Sequence, residues 1–180
     1  MVSLFTHLLA LPLFIHVHGA AYAGPRAPPR LPTPVLAAPY WPYHCPASTN
    51  ASTLVADLDL SGRVVVVTGA DGRGGFEIAR AATLANATVV LASRNATKLA
   101  AAKARLVADT NAPPGHLPIV VFDLASFAAV QAGAAAIAKL FPTGIDRLVN
   151  NAGVTLLHPS LTADGFVETV QVNHFAPALL

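Results

Sequence analysis

"RVVVVTGADGRGGFEIAR", residues 63–80, runs from four consecutive valines through a threonine to glycines at 69, 72, 74 and 75. The valine run shows no polar alternation, as a strand covered on both faces requires. The glycines allow a tight turn and close backbone approach, and from residue 75 the pattern reads as a helix. A strand that ends in such a turn and opens a helix offers unpaired N–H groups and partial positive charge to a phosphate. A tight turn with no ligand is the competing reading of the same glycines.

Outward from this stretch the pattern repeats. The first helix is expected over 75–86, with Ile78, Ala81, Ala82 and Leu84 facing inward. Residues 88–92 read as a second buried strand. Asn95 can cap a helix that runs to about Asp109 and buries Leu99, Leu106 and Val107. "NAPPG", residues 111–115, is a turn, and 118–122 a third strand. Ser126 caps a helix on which Phe127, Val130, Ala134, Ile137 and Phe141 recur at spacings of three and four, ended by Pro142. Residues 146–149 form a fourth strand, and a last helix begins around Asp164 and carries Phe166 and Val170. Strands alternating with helices predict a parallel α/β sheet with helices on both faces.

The first 57 residues read differently. No Lys, Arg, Asp or Glu occurs before Arg26. The apolar centre at 8–17 is followed by Ala21-Tyr22-Ala23, an A-x-A site, so residues 1–23 have the shape of a secretory signal peptide without its basic start. The readings left open are an uncleaved membrane anchor, half of a two-part organelle address, and a misassigned first exon. A signal would direct the chain to the secretory pathway or an organelle lumen, whereas an anchor would bind it to a membrane. Residues 24–57 carry prolines at 25, 28, 29, 32, 34, 39, 42 and 46, which stop both helix and sheet, so this stretch is expected to be a disordered linker. The folded domain is then 58–180. Asn50-Ala51-Ser52 is a glycosylation sequon that matters only in a secretory lumen. The same pattern at Asn86 and Asn95 falls inside the domain and reads as coincidence.

Composition narrows the function classes. With 54% apolar and 11% charged residues, the chain is far below the usual charged share of ~25%, and its 11 Lys+Arg are scattered. Nucleic-acid binding needs clustered cations and is not expected. Cys45 is the single cysteine, and the seven histidines show no ligand spacing, so no metal site is expected.

The end of the second strand decides which phosphate-bearing ligand the glycine turn holds. A dinucleotide site of this type expects an acid ~20 residues past the glycines, to take the ribose 2′-hydroxyl. Ser93-Arg94-Asn95 stands there instead. A guanidinium cannot accept a hydroxyl proton but pairs well with a 2′-phosphate, so Ser93 and Arg94 favour NADP over NAD. A solvated loop residue is the plainer reading of Arg94.

"TGADGRGGFEIAR" (68–80), "LASRN" (91–95), "FDLAS" (122–126), "LVNNAG" (148–153) and "LTADGFVETVQVNH" (161–174) occur in the order and spacing of the short-chain dehydrogenase/reductase family. The last two resemble its retinol dehydrogenase and WW-domain oxidoreductase branch. The resemblance covers 58–180 and implies a Rossmann-type sheet, truncated after about four strands. It also implies that Gly69, Ala70, Asp71, Arg73 and Gly75 form the pyrophosphate turn. Asp123 and the Leu124 backbone would meet the adenine, and Asn150, Asn151, Ala152 and Gly153 would hold the fourth strand and pass beside the adenine ribose. Asn173 matches the asparagine that supports the family's proton relay, whereas His174 is expected to pack or hydrogen-bond. One departure concerns the turn itself: T-G-x-x-x-G-x-G needs glycine at 73, where Arg73 stands. Arg73 either obstructs the pyrophosphate or, if Gly72 or Gly74 substitutes, adds a cation near the phosphates.

The family's tyrosine acid, its lysine four residues later and its serine all follow the asparagine helix. Here only "HFAPALL" follows Asn173, no Tyr occurs after Tyr43 and no Lys after Lys139. A general acid must lie within reach of the substrate oxygen, so the chain by itself is expected to be catalytically incomplete. Three functions follow. It is the NADP-binding part of an oxidoreductase acting on a small-molecule carbonyl/alcohol pair, a non-catalytic module that pairs through an open edge at the fourth strand, or a gene remnant.

Overall fold

The computed structural model describes residues 50–180. The expected signal or anchor at 1–23, most of the proline-rich stretch, Cys45 and the aromatics Tyr40, Trp41 and Tyr43 lie outside the described residues. The linker stretch ends in one helical turn, α1 (Ala51–Leu54), where the Asn50 side chain accepts the Thr53 N–H.

Four strands form one parallel sheet: β1 (Val64–Thr68), β2 (Thr88–Ser93), β3 (Ile119–Val121) and β4 (Arg147–Val149). Their order is β3-β2-β1-β4, with Val66 opposite Val90 and Leu148. The chain steps outward from β1 to β3 and then returns to the other side of β1. The connections therefore part between β1 and β4, and a crevice forms at the carboxyl ends of these strands. The valine run supplies both faces at once. Val65 and Val67 pack with Val89, Leu91, Leu99 and Leu106 on one side, and Val66 packs with Val90, Val120, Val130 and Ile137 on the other.

Helices α2 (Arg73–Leu84) and α3 (Ala96–Thr110) cover the first face. Helix α2 starts two residues earlier than its pattern suggests, and its inward face is different. Phe76, Ala79 and Thr83 are buried along with Ala81, whereas Ile78 and Leu84 are 36% and 39% exposed. Thr83 can occupy a core position because its hydroxyl donates to the Ala79 carbonyl at 2.7 Å, leaving only its methyl to pack. Asn95 caps α3 as expected, accepting the Lys98 N–H at 2.9 Å.

Helix α4 (Phe127–Leu140) covers the second face, capped by Ser126. Its seam is Val130, Gly133 and Ile137, with Ala134 at the margin. A Cβ on Gly133 would stand 2.4 Å from the Phe122 ring, so the glycine is there to admit that ring. The final helical stretch begins at Glu168 rather than Asp164: α5 (Glu168–Val170), a π-helical turn (Gln171–Phe175) and α6 (Ala176–Leu179). Phe166 precedes it, in a loop that Gly165 bends at φ +83° and an antiparallel bridge between Leu161 and Val167 closes. Its ring packs against Phe127 and Phe175. Among the described residues no helix is long and apolar enough to cross a membrane.

Candidate functional site

The carboxyl ends of β1, β2 and β4 meet in a cleft of about 840 Å³. Its floor is the turn after β1. Gly69 takes φ +65°, a conformation glycine adopts freely, and its N–H donates to the Ala92 carbonyl at 2.8 Å. Gly72 then donates to the Gly69 carbonyl at 3.0 Å, and α2 begins at Arg73. Gly72 has no side chain with which to cap α2, so the first amides of the helix are left for a ligand.

Two residues lock this turn to the loop after β4. The Thr68 hydroxyl donates to the Val149 carbonyl and accepts the N–H groups of Asn151 and Ala152 at 3.1 and 3.0 Å. The Asn151 amide nitrogen donates to the Thr68 carbonyl at 3.0 Å and more weakly to that of Gly69. Strand ends that could splay are thereby held at fixed separation, and the wall formed by Ala152 and Gly153 stays opposite the glycine turn.

Further along, the Asn173 side chain pairs with the backbone of Val154, accepting its N–H and donating to its carbonyl, both at 2.8 Å. Asn173 lies within the π-helical turn and does not line the cleft, although Val172 beside it does. His174 is exposed, its ring 5.5 Å from that of Phe175.

Of the residues singled out in the sequence, the cleft gathers Gly69, Asp71, Ser93, Arg94, Asp123, Leu124, Ala152 and Gly153. Besides Asn173, four others stand apart from it. Ala70 is fully buried beneath the turn, and Asn150 is exposed just past β4. Gly75 is buried against the Gly69 carbonyl, and Arg73 points into a neighbouring hollow between α2 and α3. Because Arg73 is the first helical residue, it has no need of a glycine's backbone. Gly74 takes the position facing the cleft, where a Cβ would meet the Asn151 side-chain oxygen at 3.2 Å. The arginine therefore does not block the floor.

Sequence reasoning missed Thr68 and Lys98 as parts of this site, and named Gly74 only as an alternative to Gly72 in place of the missing glycine. Lys98 had a readable signal: a cap at Asn95 puts it in the first turn of a helix that starts where β2 ends. The cations and acids of the cleft are distributed unevenly. Arg94 lies 4.0 Å from Asp123, both largely exposed, whereas Lys98 has no ion-pair partner among the described residues.

This geometry can hold an extended ligand with phosphates on the glycine floor and a further anionic group near Arg94 and Lys98. A family model for short chain dehydrogenases matches residues 63–180. Human WW domain-containing oxidoreductase is 39% identical over 128 residues, covering 71% of this chain and 30% of that protein. Retinol dehydrogenase 12 of Bos taurus is 38% identical over 125 residues, covering 69% and 38%. The chain thus spans about a third of the length of the curated relatives it matches. Among solved structures, a metagenomic short-chain oxidoreductase in complex with NADP aligns with a TM-score of 0.57 at 35% identity, over 67% of this chain and 54% of that one. The NADP active-site complex of Pseudomonas aeruginosa RhlG aligns with a TM-score of 0.55 at 31% identity, over 67% and 46%. By its matched motifs, its parallel sheet and these relatives, the chain belongs to the short-chain dehydrogenase family.

Proposed function

We propose that the domain binds NADP(H) in the cleft at the ends of β1, β2 and β4 and is the cofactor-binding part of an oxidoreductase acting on a carbonyl/alcohol pair. The observation that carries this reading is the pair of cations, Arg94 and Lys98, on a cleft floored by uncapped helix amides. Two of its aligned structural relatives, the metagenomic oxidoreductase and RhlG, are NADP complexes, which adds support.

The residues present fit the cofactor. A pyrophosphate needs close backbone approach, and Gly69 and Gly74 leave the floor without side chains. The amides at the start of α2 would donate to its oxygens. Asp123 and Leu124 would border the adenine, and Ala152 and Gly153 the ribose. Bound NADP(H) supplies or accepts the hydride. What this chain adds is position: Thr68 and Asn151 hold the two walls at fixed spacing, and Asn173 fixes the segment at Val154 that continues the wall.

These 180 residues hold no tyrosine after Tyr43, so they lack a counterpart of the family's tyrosine acid. We therefore assign them cofactor binding without turnover. The carbonyl/alcohol chemistry belongs to a protein that also carries that tyrosine. A non-catalytic NADP module would share the site and differ only in having no such form.

Fluorescence titration of the chain with NADPH and NADH tests the proposal. Saturable binding that favours NADPH is expected, together with no reduction of aldehydes or ketones. Equal affinity for the two dinucleotides removes the NADP assignment, and carbonyl turnover by these residues alone removes the claim of incompleteness.

A further inference from the structure

Three Asn-x-Ser/Thr triplets lie within the described residues: Asn50-Ala51-Ser52, Asn86-Ala87-Thr88 and Asn95-Ala96-Thr97. The folded domain can carry an N-linked glycan on such a triplet only where the side-chain nitrogen faces solvent. All three asparagines are exposed, so their hydrogen bonds separate them. At Asn86 the nitrogen donates to the Asp59 carboxylate at 3.3 Å, the backbone takes φ +67°, and Thr88 is half-buried as the first residue of β2. At Asn50 the nitrogen has no hydrogen-bond partner among the described residues, but the Ser52 hydroxyl is half-buried and accepts a bond from the Arg80 guanidinium at 2.8 Å.

Asn95 carries neither restraint. Its side-chain oxygen accepts the Lys98 N–H at 2.9 Å and caps α3, a bond that a substituent on the nitrogen leaves intact. The nitrogen itself has no hydrogen-bond partner among the described residues. Ala96 and Thr97 are exposed on the first turn of α3, with the Thr97 hydroxyl unengaged among the described residues. Asn95 also lines the cleft, between Arg94 and Lys98. A group attached to its nitrogen therefore stands at the rim where the carboxyl end of β2 opens into the dinucleotide's space.

We propose that Asn95 is an acceptor for an N-linked glycan and that this glycan closes the cofactor cleft, so a chain carried into a glycosylating lumen loses dinucleotide binding. The occlusion rests on the NADP reading of the cleft; the acceptor assignment does not. In the transfer, the Asn95 side-chain nitrogen forms a bond to the anomeric carbon of an oligosaccharide carried on a lipid diphosphate. The bond from that carbon to the diphosphate breaks, and one amide proton passes to the departing lipid diphosphate. No electrons are exchanged with an oxidant or reductant. The cap on α3 then holds the root of a bulky, hydrated chain of sugars at the cleft rim. The signal expected at 1–23 would supply the route to such a lumen.

The test expresses the full chain behind a cleavable signal sequence in glycosylating cells, and separately in the bacterial cytosol. Each is repeated with Thr97→Ala, which destroys the triplet, and Thr97→Ser, which preserves it. Peptide mapping of the translocated chains should find a glycan on Asn95 in the unaltered and Thr97→Ser forms and none there in Thr97→Ala. The glycosylated chain should bind NADPH about tenfold or more weakly than Thr97→Ala from the same cells, which controls for glycans at Asn50 and Asn86. The three bacterial forms should bind alike. Trimming the glycan to its first sugar should recover much of the affinity, which a misfolded chain would not do. An unmodified Asn95 in the translocated chain overturns the acceptor assignment. A chain glycosylated at Asn95 that binds NADPH as Thr97→Ala does, or that trimming fails to rescue, overturns the occlusion. If no bacterial form binds NADPH, the NADP reading fails and the occlusion with it, while the peptide map still decides the acceptor.

Discussion

A Cβ placed on Gly75 would stand 2.2 Å from the carbonyl oxygen of Gly69 and 2.7 Å from the Asn151 amide nitrogen. Both ends of the phosphate turn are therefore in contact through bare backbone. The close approach lets α2 start directly beneath the end of β1, aimed at the cleft.

Gly75→Ala should consequently be severe. The clash is with backbone, which cannot rotate away, so the turn must open or α2 must shift. Overpacking of this kind costs about 1–3 kcal/mol, and it should weaken dinucleotide binding as well as stability. Gly74→Ala is the control: its Cβ meets only the Asn151 side-chain oxygen, at 3.2 Å. Urea denaturation and NADPH titration of the two variants should rank them in that order, and equal effects would show that Gly75 is not the packing point.

Thr68→Val should separate shape from hydrogen bonding. Valine fills nearly the same volume but leaves the Ala152 N–H without its acceptor and the Asn151 N–H with the Val149 carbonyl alone. An unsatisfied buried donor costs about 1–3 kcal/mol, and this one is half-buried, so the urea midpoint should fall by the equivalent of the lower part of that range, while Thr68→Ser stays near the unaltered chain. A valine variant as stable as the serine one would mean that water replaces the hydroxyl and that the lock between β1 and β4 is not made by Thr68.

The contrast between these residues marks what the sequence could reveal. The strands at the sheet's centre were legible because unbroken β-branched runs such as 64–67 suit an extended backbone covered on both faces. The caps at Asn95 and Ser126 were legible because each precedes an apolar period. The inward face of α2 was not. Hydropathy favours Ile78 and Leu84, but Thr83 hides its hydroxyl in the Ala79 carbonyl and lies inward in their place. The tie between Thr68 and Asn151 spans 83 positions, and no local pattern encodes a partner that far along the chain. For Arg73 the sequence left obstruction and substitution by a neighbouring glycine both open, because a motif counts positions, whereas in the structure Gly74 faces the cleft and Arg73 lines the neighbouring hollow.

Asp59 offers a prediction in pH. The Ser61 hydroxyl and N–H, and then Asn86, donate to its carboxylate and hold its pKa below the ordinary 3.8. These bonds favour the ionised form in the fold. Their contribution is therefore complete above the unfolded value and is lost as pH falls through the lower, folded one. An NMR titration of the Asp59 carboxyl should give a midpoint below 3.8. Ser61→Ala removes the strongest donor and should move that midpoint upward; no movement would assign the shift to something other than the serine.

Gln171 ties the last helical stretch to α4. It is fully buried, and both ends of its amide are used. Its oxygen accepts the Thr162 hydroxyl, and its nitrogen donates to Asp164 at 2.6 Å. The same Asp164 oxygen accepts the N–H of Phe127 at 2.8 Å, at the first residue of α4. Gln171→Leu should cost about 1–3 kcal/mol, since it strips a partner from the hydroxyl and the carboxylate while filling similar space. Gln171→Glu keeps the shape but sets a second carboxylate against Asp164, so it should be the worse change at neutral pH. Close carboxylates cannot both remain ionised at low cost, and one of them takes up a proton as the solution is acidified. The glutamate variant should therefore recover relative to the leucine variant between neutral and mildly acidic pH, as read from urea midpoints. If the two run parallel across that range, Asp164 is not the neighbour that Gln171 satisfies in solution.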